Sequence, residues 1–313
     1  MSGFHFHHHD HAHDHDHHVP QAHQRLMRVA SYASVAMAMA LMGGKLVAWW
    51  LSDSLAMLSS LTDSLFDVIT SCINMVALRY ALKPADDDHR FGHSAIEDIA
   101  GLAQAAFIAA GMLLIILQSV ERLANPQPLA HEEIGIWVSG IAMLFTVALV
   151  TFQTIVARRT GSLIVAADRM HYVGDVAFNL GVIAALFLSV RMGWRWADPA
   201  FAIVIAIAIL WSTRSIGIRA FNNLMDREMP QAEKDKIIAL VKSQPEIRGV
   251  HQFKTRYSGT KPFVQMHIDL PGSLSFRDAH DITDALEKKL AEAFPGADII
   301  IHPDVEHAHD HKE

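Results

Sequence analysis

Cysteine is almost absent. The single Cys72 in 313 residues excludes a disulfide scaffold and any Cys-x-x-Cys zinc site. Charge is also sparse, 19% of residues, and the mean hydropathy of +0.21 lies above zero, where soluble chains normally fall below it. No segment joins a short apolar region to a small-residue cleavage site, so no secretory signal is expected and the N-terminus is expected to be retained. No His-Glu-x-x-His run occurs, so the zinc-peptidase motif is missing. With a formal net charge of −7, no nucleic-acid partner is expected. Histidine, by contrast, is abundant at 21 residues, which points towards metals or protons.

A membrane span needs about 20 mostly apolar residues to cross roughly 30 Å of hydrocarbon as helix. Six segments qualify, at about 26–50, 54–82, 95–120, 133–157, 162–190 and 196–220. Lys and Arg at their ends set the orientation. One side carries Arg25, Arg28, Arg79, Lys83, Arg90, Arg158, Arg159, Arg214, Arg219 and Arg227; the other has only Arg122, Arg191 and Arg195. The bias puts both termini in the cytoplasm. The loops at Asp53, 121–132 and 191–198 then face outward.

Spans two and five are the least apolar. Asp63 and Asp67 stand four residues apart, as do His171 and Asp175, so each pair shares a helix face. At about 1.5 Å per residue, Asp63 and Asp67 lie about 12 and 18 Å in from one side, and His171 and Asp175 about 14 and 20 Å in from the other. Both pairs reach the bilayer midplane on antiparallel helices, and four such groups suffice for a tetrahedral divalent site. A structural polar cluster is the bland alternative. It is weakened by the cost of each intramembrane carboxylate, about 2.5–3.5 kcal/mol on insertion scales, when Ser, Thr or Asn would serve. One imidazole with three carboxylates suits Zn²⁺ and can take Cd²⁺, Fe²⁺, Co²⁺ or Mn²⁺; the lack of thiolate argues against Cu(I). Emptied of metal, three carboxylates in low dielectric retain protons; occupied, they release them. Alternate exposure of such a site to the two sides gives metal/proton exchange. Nearby, Asn179 continues the His171–Asp175 stripe as a supporting residue, Asp168 is expected to pair with Arg169, and Glu97 and Asp98 read as an acidic first turn.

The termini are different. Residues 5–18 read HFHHHDHAHDHDHH, and His307, His309 and His311 close the chain. Residues 1–24 and 306–313 are expected to be disordered, His-rich arms that collect metal weakly. The interspersed Asp10, Asp14 and Asp16 argue against a purification tag. Loop 84–93 reads PADDDHRFGH; Asp86, His89 and His93 offer a second, more solvated ion site, with a merely charged loop as the equal alternative. After Asp226 the composition turns soluble. A helix is expected over 230–243, strands over 250–257 and 263–270, a helix over 276–293 and a strand over 297–304. Val264, Met266, Ile268 and Leu270 share one strand face. This order makes a two-layer α+β unit, whose ligand-type residues are His251, His267, His280, His302 and Asp304.

Six spans with cytoplasmic termini, SLTDSLFD, PADDDHRFGH, HYVGD, the DREMP linker and the αββαβ unit resemble the cation diffusion facilitator family, close to its bacterial iron/zinc efflux subgroup, over about residues 26–305. The resemblance implies a six-helix transmembrane domain (25–222) and a cytoplasmic ferredoxin-like, metallochaperone-like dimerisation domain (223–305). It implies that Asp63, Asp67, His171 and Asp175 match the transport site, that Asp86, His89 and His93 match a loop site, and that His251, His267, His280, His302 and Asp304 match a binuclear zinc site stabilising the dimer. It also implies a homodimer in the bacterial inner membrane that exports Zn²⁺ or Cd²⁺, sometimes Fe²⁺, in exchange for protons, and no enzyme. One departure stands out. Close relatives carry a Lys two residues after the last loop His, paired with the linker Asp; here that position is Ala95, although Asp226 is kept. Two other classes remain. An intramembrane metalloenzyme would need an open coordination position that four protein ligands do not leave. A metal-responsive sensor or scaffold working through the C-terminal domain predicts that Asp63→Ala or Asp175→Ala leaves function intact.

Overall fold

Long stretches of Leu, Ile, Val, Ala and Phe, interrupted by few charges, favour helix and leave apolar side chains on every side of it. In the computed structural model, which describes residues 20–52, 55–124, 133–192, 194 and 196–306, they form six helices: α1 (Gln21–Ser52), α2 (Leu55–Ala81), α3 (Ala95–Ala124), α4 (Glu133–Thr160), α5 (Leu163–Met192) and α6 (Ala197–Leu224). At 27–32 residues each, they measure roughly 40–48 Å, more than the hydrocarbon thickness. By length and composition alone, Gln21–Val47, Ala95–Ala124 and Ala197–Leu224 qualify as spans among the described residues. Helices α2 and α5 carry the intramembrane acids. Their outward faces are nonetheless apolar: Phe66, Ile73 and Val76 on α2 are exposed, as are Leu180 and Ile183 on α5. Lipid, not water, is the solvent these faces suit.

Helix α1 packs on α2 and α4, α4 on α5, and α3 chiefly on α6. One apolar core joins Met27, Ala30, Leu78, Val156, Ile164 and Val165; the other joins Ala105, Ile108, Leu163, Ala167, Met170, Ile209 and Ile216. Helix α5 therefore belongs to both groups. At Gly101 a β-carbon would stand 3.0 Å from that of Leu163, so the absence of a side chain lets α3 approach the start of α5 closely. Helix α1 begins at Gln21, which puts His23 inside it and not in a disordered arm. The His/Asp-rich arm at 5–18, the Asp53 loop, residues 125–132 with His131, Arg195 and His307–His311 lie outside the described residues.

The soluble part follows the expected order: α7 (Gln231–Lys242), β1 (Gly249–Ser258), β2 (Lys261–Leu270), α8 (Phe276–Ala293) and β3 (Asp298–Val305). Strand β2 is central, antiparallel to β1 and parallel to β3. Its alternation works as the period of two requires. Val264, Met266, Ile268 and Leu270 are buried against Ile237, Val241, Leu286 and Leu290 of the two helices. Ser275 and Asp278 close a reciprocal cap at the start of α8, satisfying first-turn amides.

Candidate metal centres

Asp67 on α2 faces the His171/Asp175 pair on α5. Asp67 Oδ1 lies 3.0 Å from His171 Nε2, and Asp175 Oδ2 lies 4.0 Å from the same nitrogen. One donor atom from each of the three falls within 4.8 Å of the others. Asp63 sits on α2 one turn before Asp67; its side chain lies outside the described residues. Asn179 is exposed. A carboxylate–imidazole–carboxylate set between antiparallel helices can bind a divalent cation or protons, and the one exchanges for the other.

Asp168 does not pair with Arg169. Neighbouring residues point to different sides of a helix, and Asp168 instead turns into the bundle, where it is buried. It accepts hydrogen bonds from Ser34 Oγ (2.5 Å), Gln153 Nε2 (2.7 Å) and Asn74 Nδ2 (3.1 Å), tying α1, α2 and α4 to α5 one turn before His171. Tyr172 is within 3.2 Å of Ser71 Oγ and donates to the Ser34 carbonyl at the same distance. Polar residues inside spans gave the only sequence signal for this knot.

The loop residues converge on one carboxylate. His89 Nδ1 is 3.2 Å from Asp86 Oδ1, and His93 Nε2 is 3.4 Å from Asp86 Oδ2. His93 Nδ1 stands 3.1 Å from the Pro84 carbonyl. A carbonyl only accepts, so a hydrogen bond there needs the proton on Nδ1 and leaves the Nε2 lone pair for a cation. That Nε2 is buried and makes no hydrogen bond. Sequence reasoning missed a competitor: Lys83 Nζ donates to Asp86 Oδ2 at 2.5 Å. This hydrogen bond, with the His89 backbone N–H, holds the Asp86 carboxyl well below the usual carboxylate range, and Asp86 in turn raises Lys83.

In the C-terminal sheet, His251 pairs with His267, and His267 with His302, across the three strands. A bulge between His251 and Lys254 interrupts β1 beside the site, with Gln252 at φ 46°; bulges commonly re-aim neighbouring side chains. Asp304 is the hub. Its Oδ2 lies 2.7 Å from His267 Nδ1 and 3.2 Å from His251 Nε2, and its Oδ1 lies 3.2 Å from His302 Nε2. Asp269, which sequence reasoning passed over, stands 3.4 Å from His251 Nδ1, placed to orient that ring. Three imidazoles around a carboxylate fit zinc by donor type. His280 is not among them within the chain: on α8 its Nε2 lies 3.7 Å from Asp284, half-exposed or more.

Glu97 and Asp98 are more than an acidic first turn. Both are buried. Glu97 Oε1 accepts from the Leu163 N–H, at the start of α5, at 2.9 Å. Asp98 accepts from Asn223 of α6 at 2.8 Å and from the Gly259 N–H at 2.6 Å, and Ser94 bonds Ser258 at 3.0 Å. The turn between β1 and β2 is thus held on the first turn of α3. With Ala95 lacking a charge, Asp226 pairs within the chain, accepting from Arg256 at 3.1 Å.

Donor sets of this kind, one inside a helical membrane body and others at its aqueous end, are what a carrier of metal cations requires. The chain belongs to the cation efflux family: residues 31–225 match the cation efflux transmembrane domain, and residues 229–306 match the cation efflux protein cytoplasmic domain. It is 43% identical over 284 residues to the cation-efflux pump FieF of Salmonella choleraesuis (strain SC-B67), covering 91% of this chain and 94% of the relative. It is 42% identical over the same length to the FieF of Salmonella newport (strain SL254), with the same coverage. Among solved structures, the metal-bound C-terminal domain of the CzcD transporter from Thermotoga maritima is 30% identical, spans 25% of this chain and 94% of its own, and has a TM-score of 0.23. The protein is a membrane cation-efflux transporter, the family's function is transport and not enzymatic catalysis, and its C-terminal part is of the dimer-forming kind.

Proposed function

We propose that the chain exports a divalent metal ion, Zn²⁺ first and Cd²⁺ or Fe²⁺ as alternates, in exchange for protons, by exposing Asp63, Asp67, His171 and Asp175 alternately to the two sides of a bacterial inner membrane. The observation that carries this reading is the approach of Asp67 and Asp175 to one nitrogen of His171, at 3.0 and 4.0 Å. With no cation between them, protons balance the carboxylates; an incoming M²⁺ displaces them, so loading with metal and release of protons are one event. Aspartate and imidazole suit Zn²⁺ by ligand type.

Both termini are cytoplasmic in this reading, as the Arg and Lys bias requires. The transport domain spans 25–222 and the dimerisation domain 223–305. Asp86, His89 and His93 hold a second ion at the cytoplasmic surface. His251, His267, His302 and Asp304 hold structural zinc, which crosslinks three strands and stabilises the sheet face on which two protomers meet. His280, lying apart from that cluster on its own chain, is left to act across the dimer.

The test is flux of Zn²⁺, Cd²⁺, Fe²⁺ and Mn²⁺ in proteoliposomes with internal pH recorded, for wild type and Asp67→Ala. The reading expects Zn²⁺ to move fastest and the variant to fold but not transport. Equal flux of all four ions, or an active variant, contradicts it.

A further inference from the structure

A cavity of about 950 Å³ opens where α6 leaves the membrane body and meets the soluble domain. Four cationic side chains line it, Arg214, Arg219, Arg227 and Lys234, against two acidic ones, Glu228 and Glu233. Both acids have partners, and Glu228 offsets the cavity's own Lys234. Glu228 accepts from Thr255 Oγ1 at 2.5 Å and lies 3.9 Å from Lys234, and Glu233 accepts from the Tyr257 hydroxyl at 2.7 Å. The arginines are not matched to them. Arg219 is anchored by donating to the Gly161 carbonyl and also feels the buried Glu97 and Asp98 carboxyls, so the unmatched charge rests chiefly on Arg214 and Arg227. The Arg227 side chain has no hydrogen-bond or ion-pair partner among the described residues, and Arg214 only stacks on Trp211, 5.4 Å from the ring centre. The α7 N-terminus also borders the cavity, and Pro230 gives its first turn no side-chain acceptor. Uncapped amides and the positive end of the helix dipole add to the attraction for an anion.

The surroundings say which anion. Trp211 is 73% exposed and Ile218 43% exposed on the outward face of α6, and Arg214 stands between them in sequence with its guanidinium over the Trp211 ring. The basic cluster therefore sits at the boundary between a lipid-facing apolar strip and an aqueous domain. Basic pockets at that level take anionic headgroups. A free phosphate would use the arginines and leave the apolar strip unused; a phospholipid uses both.

We propose that this cavity binds the phosphodiester headgroup of an anionic membrane phospholipid, with its acyl chains lying along α6 beside Trp211 and Ile218. A lipid held there touches α6, the Arg227–Pro230 linker and α7 at once. The site does not depend on which ion is carried.

The test is native mass spectrometry of the full-length transporter titrated with phosphatidylglycerol or phosphatidylcholine, for wild type, Arg227→Gln and the Arg214→Gln/Arg227→Gln double variant. Wild type is expected to prefer phosphatidylglycerol. Each lost arginine should weaken that binding about fivefold, and the pair about twenty-fivefold, at the energy of one basic residue near an anionic surface. Arg227→Gln breaks no hydrogen bond or ion pair within the described residues, so it decides the matter even where the double variant folds poorly, and Arg227→Lys should restore most of the binding. Equal binding of the two lipids by wild type, or undiminished phosphatidylglycerol binding by Arg227→Gln, overturns the proposal. Full displacement of the lipid by equimolar inorganic phosphate also overturns it, leaving a soluble-anion site.

Discussion

The carboxylate of Asp98, on the first turn of α3, accepts a 2.6 Å hydrogen bond from the backbone N–H of Gly259, in the turn that joins β1 to β2. Gly259 has φ +56°, and a β-carbon there would stand 2.5 Å from the Ser94 carbonyl oxygen, so both its conformation and its neighbour call for glycine. Glu97, the adjacent residue, holds the start of α5, the helix that carries His171 and Asp175. The soluble domain and the transport helix thus meet at two consecutive acids. Asp98→Ala should free the turn while the sheet stays folded. Hydrogen exchange at Gly259 should then rise at least tenfold and metal flux should fall. Unchanged exchange would show that other contacts hold the domain.

At the proposed loop site, Lys83 competes with metal for Asp86. Its ammonium occupies the oxygen that His93 Nε2 also approaches. Replacing it by Met removes a competing cation on an exposed carboxylate, so Zn²⁺ affinity at the loop should increase about two- to fivefold, the span of an exposed ion pair. Isothermal titration with the transport site disabled by Asp67→Ala and the sheet site by Asp304→Ala reads this. A fall in affinity would mean that Lys83 positions the carboxylate instead of blocking it.

Asp168→Ala removes the one acceptor shared by Ser34, Asn74 and Gln153. Asn74 loses its acceptor, while Ser34 keeps the Ala30 carbonyl at 3.1 Å and Gln153 keeps Ser34 Oγ at 2.8 Å. One orphaned buried donor costs about 1–3 kcal/mol, so a clear fall in thermal stability of the transporter in detergent is expected. Asp168→Asn keeps an acceptor oxygen and should fall less. Equal stability of all three proteins would deny the knot its role.

Tyr257 adds a pH dependence outside the membrane. Burial, and then the Glu233 carboxylate that accepts its hydrogen bond, push the phenol above its usual value. The folded chain keeps this proton where the unfolded chain loses it, near pH 10. The contribution is therefore complete below about pH 10 and is lost as pH rises towards the folded value. Unfolding followed from pH 8 to 11 should show a decline that Tyr257→Phe makes shallower. The same slope in both would assign the decline to other groups.

Much of this was legible in sequence for a physical reason. Strict alternation through Val264–Leu270 acts locally, and the strand lies where the residues imply. The i, i+4 spacing likewise put Asp67, His171 and Asp175 on facing surfaces. What escaped was set by distant partners. Asp168 read as a neighbour of Arg169 because the donors that claim it come from three other helices. Asp98 read as a helix-dipole residue because Gly259 is 161 positions away. Asp269 stood in the open on the polar strand face, yet only the strand register puts it beside His251.

The central claim is that the midplane carboxylates and imidazole carry metal one way and protons the other. The direct measurement is internal pH in sealed, purified proteoliposomes given an inward Zn²⁺ gradient and no imposed pH gradient, for wild type and Asp175→Ala. Zn²⁺ entry accompanied by proton exit, with both lost together in the variant, is the predicted result. Zn²⁺ entry with internal pH unmoved, or coupled movement that persists in Asp175→Ala, would contradict it.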